Sequence, residues 1–157
     1  MLIYLLRHAE AEVLAASDDA RRLTPKGDEQ AWRVGQFCQR QGIKPPVILS
    51  SPVTRAWQTA NLVAKSLSEA EVVKVPWAEC GMDPWAAMDE LKAYAKFPSV
   101  MLVGHQPDLG GLAAALLGMQ SVQSVRVRKA LLMGIDASGG LATGAGTLQF
   151  FVPVRLM

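Results

Sequence analysis

The chain has 157 residues, of which half are hydrophobic and 19% are charged. This balance is ordinary for a globular protein, and the length suits one domain, residues 1–157, with a buried core. The formal net charge of +2 is too small to indicate a polyanionic partner such as nucleic acid.

The sequence indicates neither secretion nor membrane insertion. The N-terminus lacks a basic segment followed by an apolar segment and a cleavage site. The longest apolar stretch, residues 109–119, is too short to span a bilayer. Cys38 and Cys80 lack a CxxC or CxxH context, which argues against a zinc site or a disulfide framework. We therefore expect a soluble, cytoplasmic protein with no membrane partner.

Predicted strands and helices alternate along the chain. Short runs of branched or aromatic residues predict strands at Leu2–Leu6, Val47–Leu49, Val72–Val75, Val100–Val103, Ala130–Asp136 and Thr147–Val152. Helix starts are predicted where a capping side chain precedes proline or where proline follows a strand. These starts are Thr24-Pro25 (with an end at Gly42), Ser51-Pro52, Asp83-Pro84 (running to about Ala95) and Pro107.

This alternation predicts the fold. Strands that alternate with helices form a mainly parallel sheet with helices on both faces. The last two strands are joined by a glycine-rich turn, so they form a hairpin that makes the sheet mixed. The expected fold is an α/β, three-layer α/β/α sandwich around a sheet of about six strands.

Two histidines are all that the chain contains, and each follows a predicted strand. His8 comes after the first strand beside Arg7, and His105 comes after the fourth. Arg55 lies about one turn into the helix that follows the second strand. Open α/β sheets bind ligands beyond the carboxyl ends of their strands. Guanidinium groups and helix N-termini at that edge favour an oxyanion, with phosphate the obvious occupant.

Four segments resemble the histidine phosphatase superfamily, also called the phosphoglycerate-mutase-like family. They are Leu6–Glu10, Leu23–Gly27, Ser50–Ala60 and Val103–Pro107. The short length, the R-H-A-E opening and the H-Q-P-D-L segment resemble its smallest branch, the SixA-type phosphohistidine phosphatases. The order and spread of these motifs make the resemblance specific.

The resemblance implies a role for each strand-end residue. His8 would attack phosphorus and form a phosphohistidine intermediate, while Arg7, Arg55 and His105 would hold the phosphoryl group. It implies no cofactor and no metal, and a partner protein that carries phosphohistidine, such as a phosphotransfer domain or a phosphocarrier. The chemistry is reasonable in itself, because a neutral imidazole is a competent nucleophile near neutral pH.

Two further residues are candidates for the site. Arg21 lies in a segment that looks like the family's rim, and it either contacts substrate or forms a surface salt bridge. Mutase-like relatives carry a longer insertion after the third strand, and a glutamate in it acts as general acid. In this chain the corresponding interval, residues 76–99, is shorter. Glu79 is its one plausible loop carboxylate. A phosphorylated imidazole needs less acid assistance than an alkoxide. The short interval also predicts a shallow, open crevice, which suits a phosphorylated side chain on another protein.

Three other functions stay open at this point. The chain could be a phosphatase of small phosphate esters or anhydrides with the same site residues. It could be a phosphoprotein-binding module without turnover, although such a module has no evident need for a nucleophile. A metallohydrolase would have to use His8 together with Glu10, Glu12 and Asp18. These acids alternate near the histidine, but no second cluster of metal ligands accompanies them in the sequence.

Overall fold

A computed structural model describes residues 1–67, 70–121 and 125–157. Its strands are β1 (Leu2–Arg7), β2 (Val47–Ser50), β3 (Glu71–Lys74), β4 (Ser99–Gly104), β5 (Leu132–Asp136) and β6 (Thr147–Val152). The α-helices in this part of the chain are α1 (Pro25–Arg40), α2 (Thr54–Ala64), α3 (Pro84–Lys92) and α4 (Asp108–Leu116). None of these helices has the length and apolar character that a membrane span requires.

The strands form one mixed sheet in the order β3-β2-β4-β1-β5-β6. β1 and β2 both run parallel to β4, and β3 runs parallel to β2. The hairpin of β5 and β6 is antiparallel, and β5 pairs antiparallel with β1. The prediction of a mainly parallel, mixed sheet is confirmed.

Helices cover both faces of this sheet, so the three-layer sandwich is confirmed as well. Successive side chains of a strand point to opposite faces. Ile3 and Leu5 of β1 therefore pack in one buried cluster with residues of α3 and α4. Tyr4 and Leu6 pack in the other cluster with residues of α1 and α2.

Helix starts agree with the predictions at three of the four positions. Thr24 caps α1 by accepting a hydrogen bond from the Gly27 amide, and Asp83 caps α3 by accepting from two amides. α4 begins at Asp108 with Pro107 as its N-cap. The predicted start of α2 at Ser51-Pro52 is wrong, because α2 begins at Thr54.

Two predicted boundaries are also wrong for visible reasons. β5 begins at Leu132 rather than Ala130, and Ala130 has a φ of +52°, which lies outside the extended region that a strand requires. α3 ends at Lys92, before the predicted end near Ala95. The chain then continues in hydrogen-bonded turns to β4.

Gly27 fixes how closely α1 approaches the loop that follows β1. A Cβ atom at this position would lie 2.0 Å from the backbone oxygen of Glu10. Only glycine permits this approach. The first turn of α1 therefore holds the loop of residues 10–22 near the carboxyl end of the sheet.

Candidate active site

The two histidines lie side by side at the carboxyl edge of the sheet. Arg7 is the last residue of β1 and is in register with Gly104, the last residue of β4. The residues that follow, His8 and His105, therefore leave neighbouring strands at the same level. Their ring centroids are 5.3 Å apart.

The start of the hairpin holds the exit of β1 in place. The amide of Ala130 donates to the carbonyl of Arg7 at 3.1 Å and to that of His8 at 3.2 Å. The amide of His8 donates to the carbonyl of Gly104 at 3.0 Å. These hydrogen bonds tie the backbone of His8 to Gly104 at the end of β4 and to Ala130, two residues before β5.

Hydrogen bonds define which nitrogen of His8 carries a proton. Nδ1 lies 2.7 Å from the carbonyl oxygen of Ala9, and a carbonyl can only accept, so Nδ1 carries the hydrogen. Nε2 then holds a lone pair, and it accepts a hydrogen bond from Arg55 Nε at 3.3 Å. Thr59 supports this arrangement, because its hydroxyl accepts from the Ala9 amide at 3.1 Å and donates to the Arg55 carbonyl at 2.7 Å.

Burial keeps His8 neutral. The residue is only 6% exposed, and burial lowers its pKa to about 3. The bond to the Ala9 carbonyl acts in the opposite direction, while His105, Arg55 and Arg7 lower the pKa further. At neutral pH the Nε2 lone pair is therefore available to attack an electrophile.

His105 is held by Ser51. The histidine is 3% exposed, and its Nε2 lies 2.9 Å from Ser51 Oγ. Ser51 Oγ also accepts from the Val53 amide at 3.3 Å, and its hydroxyl can either donate to or accept from His105 Nε2. Nδ1 of His105 is buried and has no hydrogen-bond partner among the described residues. Burial, followed by the charge of Arg55, lowers the pKa of His105 to about 4.

Two guanidinium groups complete the cluster. Arg55 is 5% exposed, and its Nη1 and Nη2 donate to the carbonyl and the carboxylate of Asp18 at 2.7 and 2.9 Å. Cys80 Sγ lies 3.6 Å from the same Nη2. Arg7 Nη1 donates to the Val127 carbonyl at 2.9 Å, and its buried Nε has no partner within the described part of the chain. A buried donor left unpaired is costly, so a bound oxyanion would be favourable here.

The structure thus brings Arg7, His8, Arg55 and His105 together, but it places Arg21 and Glu79 elsewhere. Arg21 Nη1 pairs with Asp18 at 2.8 Å, and its Nε donates to the Glu12 carbonyl. Glu79 is exposed, and in the residues the structure describes no hydrogen bond or ion pair joins its side chain to the other four.

The acids considered as metal ligands have other partners. Glu10 pairs with Lys26 at 3.2 Å, and Asp18 pairs with Arg55 and Arg21. Across residues 1–67, 70–121 and 125–157, no three His, Cys, Asp or Glu side chains are grouped so that they could hold a metal ion. The arrangement imagined for a metallohydrolase does not form.

The expected open crevice is not found at these side chains. The interval between β3 and β4 is short, as expected, yet His8, Arg55 and His105 are almost fully buried. At Arg55 the loop after β1 contributes to this burial, because it folds back so that Asp18 contacts the outer end of the guanidinium. The Ala11–Leu23 bridge closes this loop.

Reasoning from the sequence missed three residues that support the site: Asp18, Ser51 and Thr59. Thr59 lies four positions after Arg55, so helical spacing could have placed it on the same face. The local pattern predicts a helix cap at Ser51 and, at most, a metal ligand at Asp18. Both contacts depend on how a loop folds back onto the sheet edge, which no local pattern encodes.

Comparisons with known proteins show the family of this chain. The profile of the histidine phosphatase superfamily (branch 1) matches residues 3–133. The chain is 34% identical over 134 residues to the phosphohistidine phosphatase SixA homolog of Haemophilus influenzae, which covers 77% of this chain and 80% of that protein.

Two solved structures share the fold. The protein histidine phosphatase SixA complexed with tungstate superimposes with a TM-score of 0.86 and 24% identity, over 99% of both chains. A putative alpha-ribazole-5'-P phosphatase from Escherichia coli superimposes with a TM-score of 0.78 and 21% identity, over 98% of both chains. The chain therefore belongs to the histidine phosphatase superfamily, branch 1, and is similar to its SixA-type members.

Proposed function

We propose that the protein is a phosphohistidine phosphatase that dephosphorylates a histidine on another protein through a covalent intermediate at His8. The observation that carries this proposal is the pair of contacts made by the His8 ring. Nδ1 is tied to the Ala9 carbonyl, and the lone pair of Nε2 faces the buried guanidinium of Arg55. This is a neutral nucleophile placed beside a cation that binds phosphoryl oxygens.

The first step transfers the phosphoryl group. The lone pair of His8 Nε2 attacks phosphorus, and the bond between phosphorus and the imidazole nitrogen of the substrate breaks. That nitrogen keeps the electron pair of the broken bond, and the substrate ring takes up one proton from solvent to become a neutral imidazole. His8 keeps its Nδ1 hydrogen, so the phosphorylated ring is positively charged. In the second step a water oxygen attacks phosphorus, the electron pair of the P–Nε2 bond returns to His8, and phosphate leaves with the two hydrogens of the water. Neither step needs a metal or a redox cofactor.

Arg7, Arg55 and His105 supply the donors for the transferring group. Arg7 Nε and His105 Nδ1 are the two buried ring or guanidinium nitrogens that lack partners in the described structure. Preorganised donors of this kind stabilise the negative charge that spreads over the phosphoryl oxygens in the transition state.

Several features support a phosphoprotein substrate. The interval between β3 and β4 contains no long insertion, and among the described residues no hydrogen bond or ion pair joins the exposed Glu79 side chain to the four. An imidazole leaves more readily than an alkoxide, so a weak or absent general acid favours a phosphohistidine donor. The named relative from Haemophilus influenzae is a homolog of an enzyme with this substrate.

One observation favours a second candidate, a phosphatase of small phosphate esters. His8, Arg55 and His105 are each no more than 6% exposed. Small phosphorylated metabolites are usually enclosed by their binding sites, so this burial fits them better than an open crevice would.

Turnover measurements on the two substrate classes separate these candidates. The purified protein is incubated, with and without EDTA, with phosphorylated histidine carriers of its own organism and with a panel of sugar phosphates and nucleotides. We expect fast release of phosphate from the carriers, slow release from the small esters, and no effect of EDTA. Fast hydrolysis of the small esters alone would contradict the proposed substrate, and binding without hydrolysis would contradict catalysis.

Glu79→Gln tests the leaving-group argument in the same assay. If Glu79 is not a general acid, phosphohistidine hydrolysis should change by only a few-fold, well below the roughly hundredfold effect expected for a true general acid. A collapse of activity in this variant, together with rapid hydrolysis of alkyl phosphates, would place the protein among ordinary phosphomonoesterases.

A further inference from the structure

Asp18 contacts Arg55 through both its backbone and its side chain. Arg55 Nη1 donates to the Asp18 carbonyl at 2.7 Å, and Nη2 donates to the carboxylate at 2.9 Å. The third nitrogen of the guanidinium, Nε, donates to His8 Nε2 at 3.3 Å. One residue of the loop after β1 thus engages the two outer nitrogens, while the inner nitrogen faces the nucleophile.

The carboxylate holds this buried cation from the solvent side. The side chain of Asp18 is 59% exposed, whereas that of Arg55 is 6% exposed. Asp18 is itself held by Arg21 Nη1 at 2.8 Å. Hydrogen bonds from Arg21 and then from Arg55 lower the pKa of Asp18 below its ordinary value, so the group is ionised at neutral pH.

We propose that Asp18 is a positioning residue for Arg55, which fixes the guanidinium so that its Nε–H points at the phosphoryl group transferred to His8. The inference rests on the proposed function of His8 and Arg55. A guanidinium that is anchored through Nη1 and Nη2 presents its Nε–H in a single orientation, and this preorganisation lowers the barrier. Arg21 then supports Asp18 and does not bind substrate itself.

The opposite role would be that of a competitor, in which the carboxylate occupies donors that a phosphate should use. The loop argues against such a role. The contact to Arg55 Nη1 comes from the backbone of Asp18, and the neighbouring carbonyl of Asp19 accepts from the Thr54 amide at 3.2 Å. The backbone of the loop is therefore attached to the first turn of α2 at two successive residues, and these attachments hold the Asp18 carboxylate beside Arg55 Nη2 and away from Nε.

A double-mutant cycle between Asp18 and Arg55 tests this role. The variants are Asp18→Ala, Asp18→Asn, Arg55→Ala and the Asp18→Ala/Arg55→Ala pair, assayed with an activated aryl phosphate and with phosphohistidine carriers. We expect Asp18→Ala to lower kcat by about ten- to hundredfold with a smaller change in KM, and Asp18→Asn to lower it less. In the Arg55→Ala background, Asp18→Ala should have no further effect, because the carboxylate acts only through that guanidinium.

Glu29→Ala is the control. It removes one negative charge from an exposed position of α1, and among the described residues Arg55 forms its ion pair with Asp18 and none with Glu29. Its kcat should stay within about twofold of the wild type, as expected for an exposed charge without a specific pairing. Thermal unfolding of every variant shows that the fold is retained.

Two results would overturn the proposal. Equal losses from Asp18→Ala with and without Arg55 would show that the carboxylate acts independently, and a rise in kcat/KM would show that it competes with phosphate. The dissociation constant of inorganic phosphate is also measured for the same variants, because this form of the cycle does not depend on turnover. Failure of the proposed function would appear separately, as a wild-type protein that does not hydrolyse phosphohistidine while the cycle still couples Asp18 to Arg55.

Discussion

His8 differs from a solvent-exposed histidine in its protonation state and in the hydrogen-bond partners of its ring. Its position at the exit of β1 buries the ring and keeps it neutral, with a pKa lowered to about 3. The Ala9 carbonyl selects the tautomer that leaves Nε2 unprotonated. The same position thus fixes the protonation state and the orientation of Nε2, the atom that we propose attacks phosphorus.

At the scale of single residues, Arg7→Ala, Arg55→Ala and His105→Ala should each strongly reduce turnover. Loss of one preorganised donor typically costs about two to three decades in rate. The measurement is kcat/KM for an activated aryl phosphate. Arg22→Ala serves as a control, because Arg22 is an exposed arginine in the loop after β1. Near-normal rates in two of the three variants would contradict the assigned roles.

The site residues could be predicted from the sequence to different degrees. Arg7, His8 and His105 were predictable because strand ends and motifs are local patterns. Asp18 and Ser51 were not, because their roles depend on contacts with Arg55 and His105, which are distant in sequence. For Arg21 the sequence left two alternatives, and the structure shows the surface salt bridge, with Asp18 three residues away as the partner.

At the scale of elements, most strands and helices followed from apolar patterning and capping signals. The start of α2 did not, because the Ser51 hydroxyl accepts from Val53 and lies against His105 instead of capping the helix. The compact path of residues 10–22 was also unpredictable, since it depends on the Ala11–Leu23 bridge and on contacts with α2.

Gly27→Ala should disturb this loop. The added Cβ would lie 2.0 Å from the Glu10 carbonyl oxygen, so α1 and the loop must move apart. Overpacking of this kind typically costs about 1–3 kcal/mol, and displacement of Asp18 should also lower turnover. Urea unfolding and aryl phosphate hydrolysis measure the two effects.

Gly42→Ala is the control for this variant. Gly42 follows α1 with a φ of +67°, and a Cβ there would meet nothing within 4 Å. This change should lower stability through backbone strain without changing kcat. Similar losses of kcat in both variants would mean that destabilisation alone, and not the position of the loop, affects catalysis.

At the scale of the whole molecule, the buried histidines make stability depend on pH. In the unfolded chain they bind protons as the pH falls through about 6.5, whereas in the folded protein they do so only near 3 and 4. The unfolded state therefore binds more protons below about pH 6.5, and the free energy of unfolding falls as the pH decreases towards these folded values.

Between pH 7 and 5 this effect should amount to about 2 kcal/mol for each histidine. Urea unfolding at several pH values in this range measures it. His8→Asn should remove about half of the dependence, because only His105 then contributes. A wild-type stability that does not change over this range, or a His8→Asn variant with the wild-type slope, would contradict the neutral state assigned to these rings.

The central claim is that His8 carries the phosphoryl group during turnover, and a trapping experiment tests it most directly. The protein is mixed with a carrier bearing labelled phosphohistidine, quenched in base within the first turnover, and digested for mass spectrometry. We expect acid-labile, base-stable phosphate on His8 in the wild type, and neither label nor turnover in a folded His8→Ala variant. Phosphate on another residue, or wild-type turnover in His8→Ala, would contradict the account.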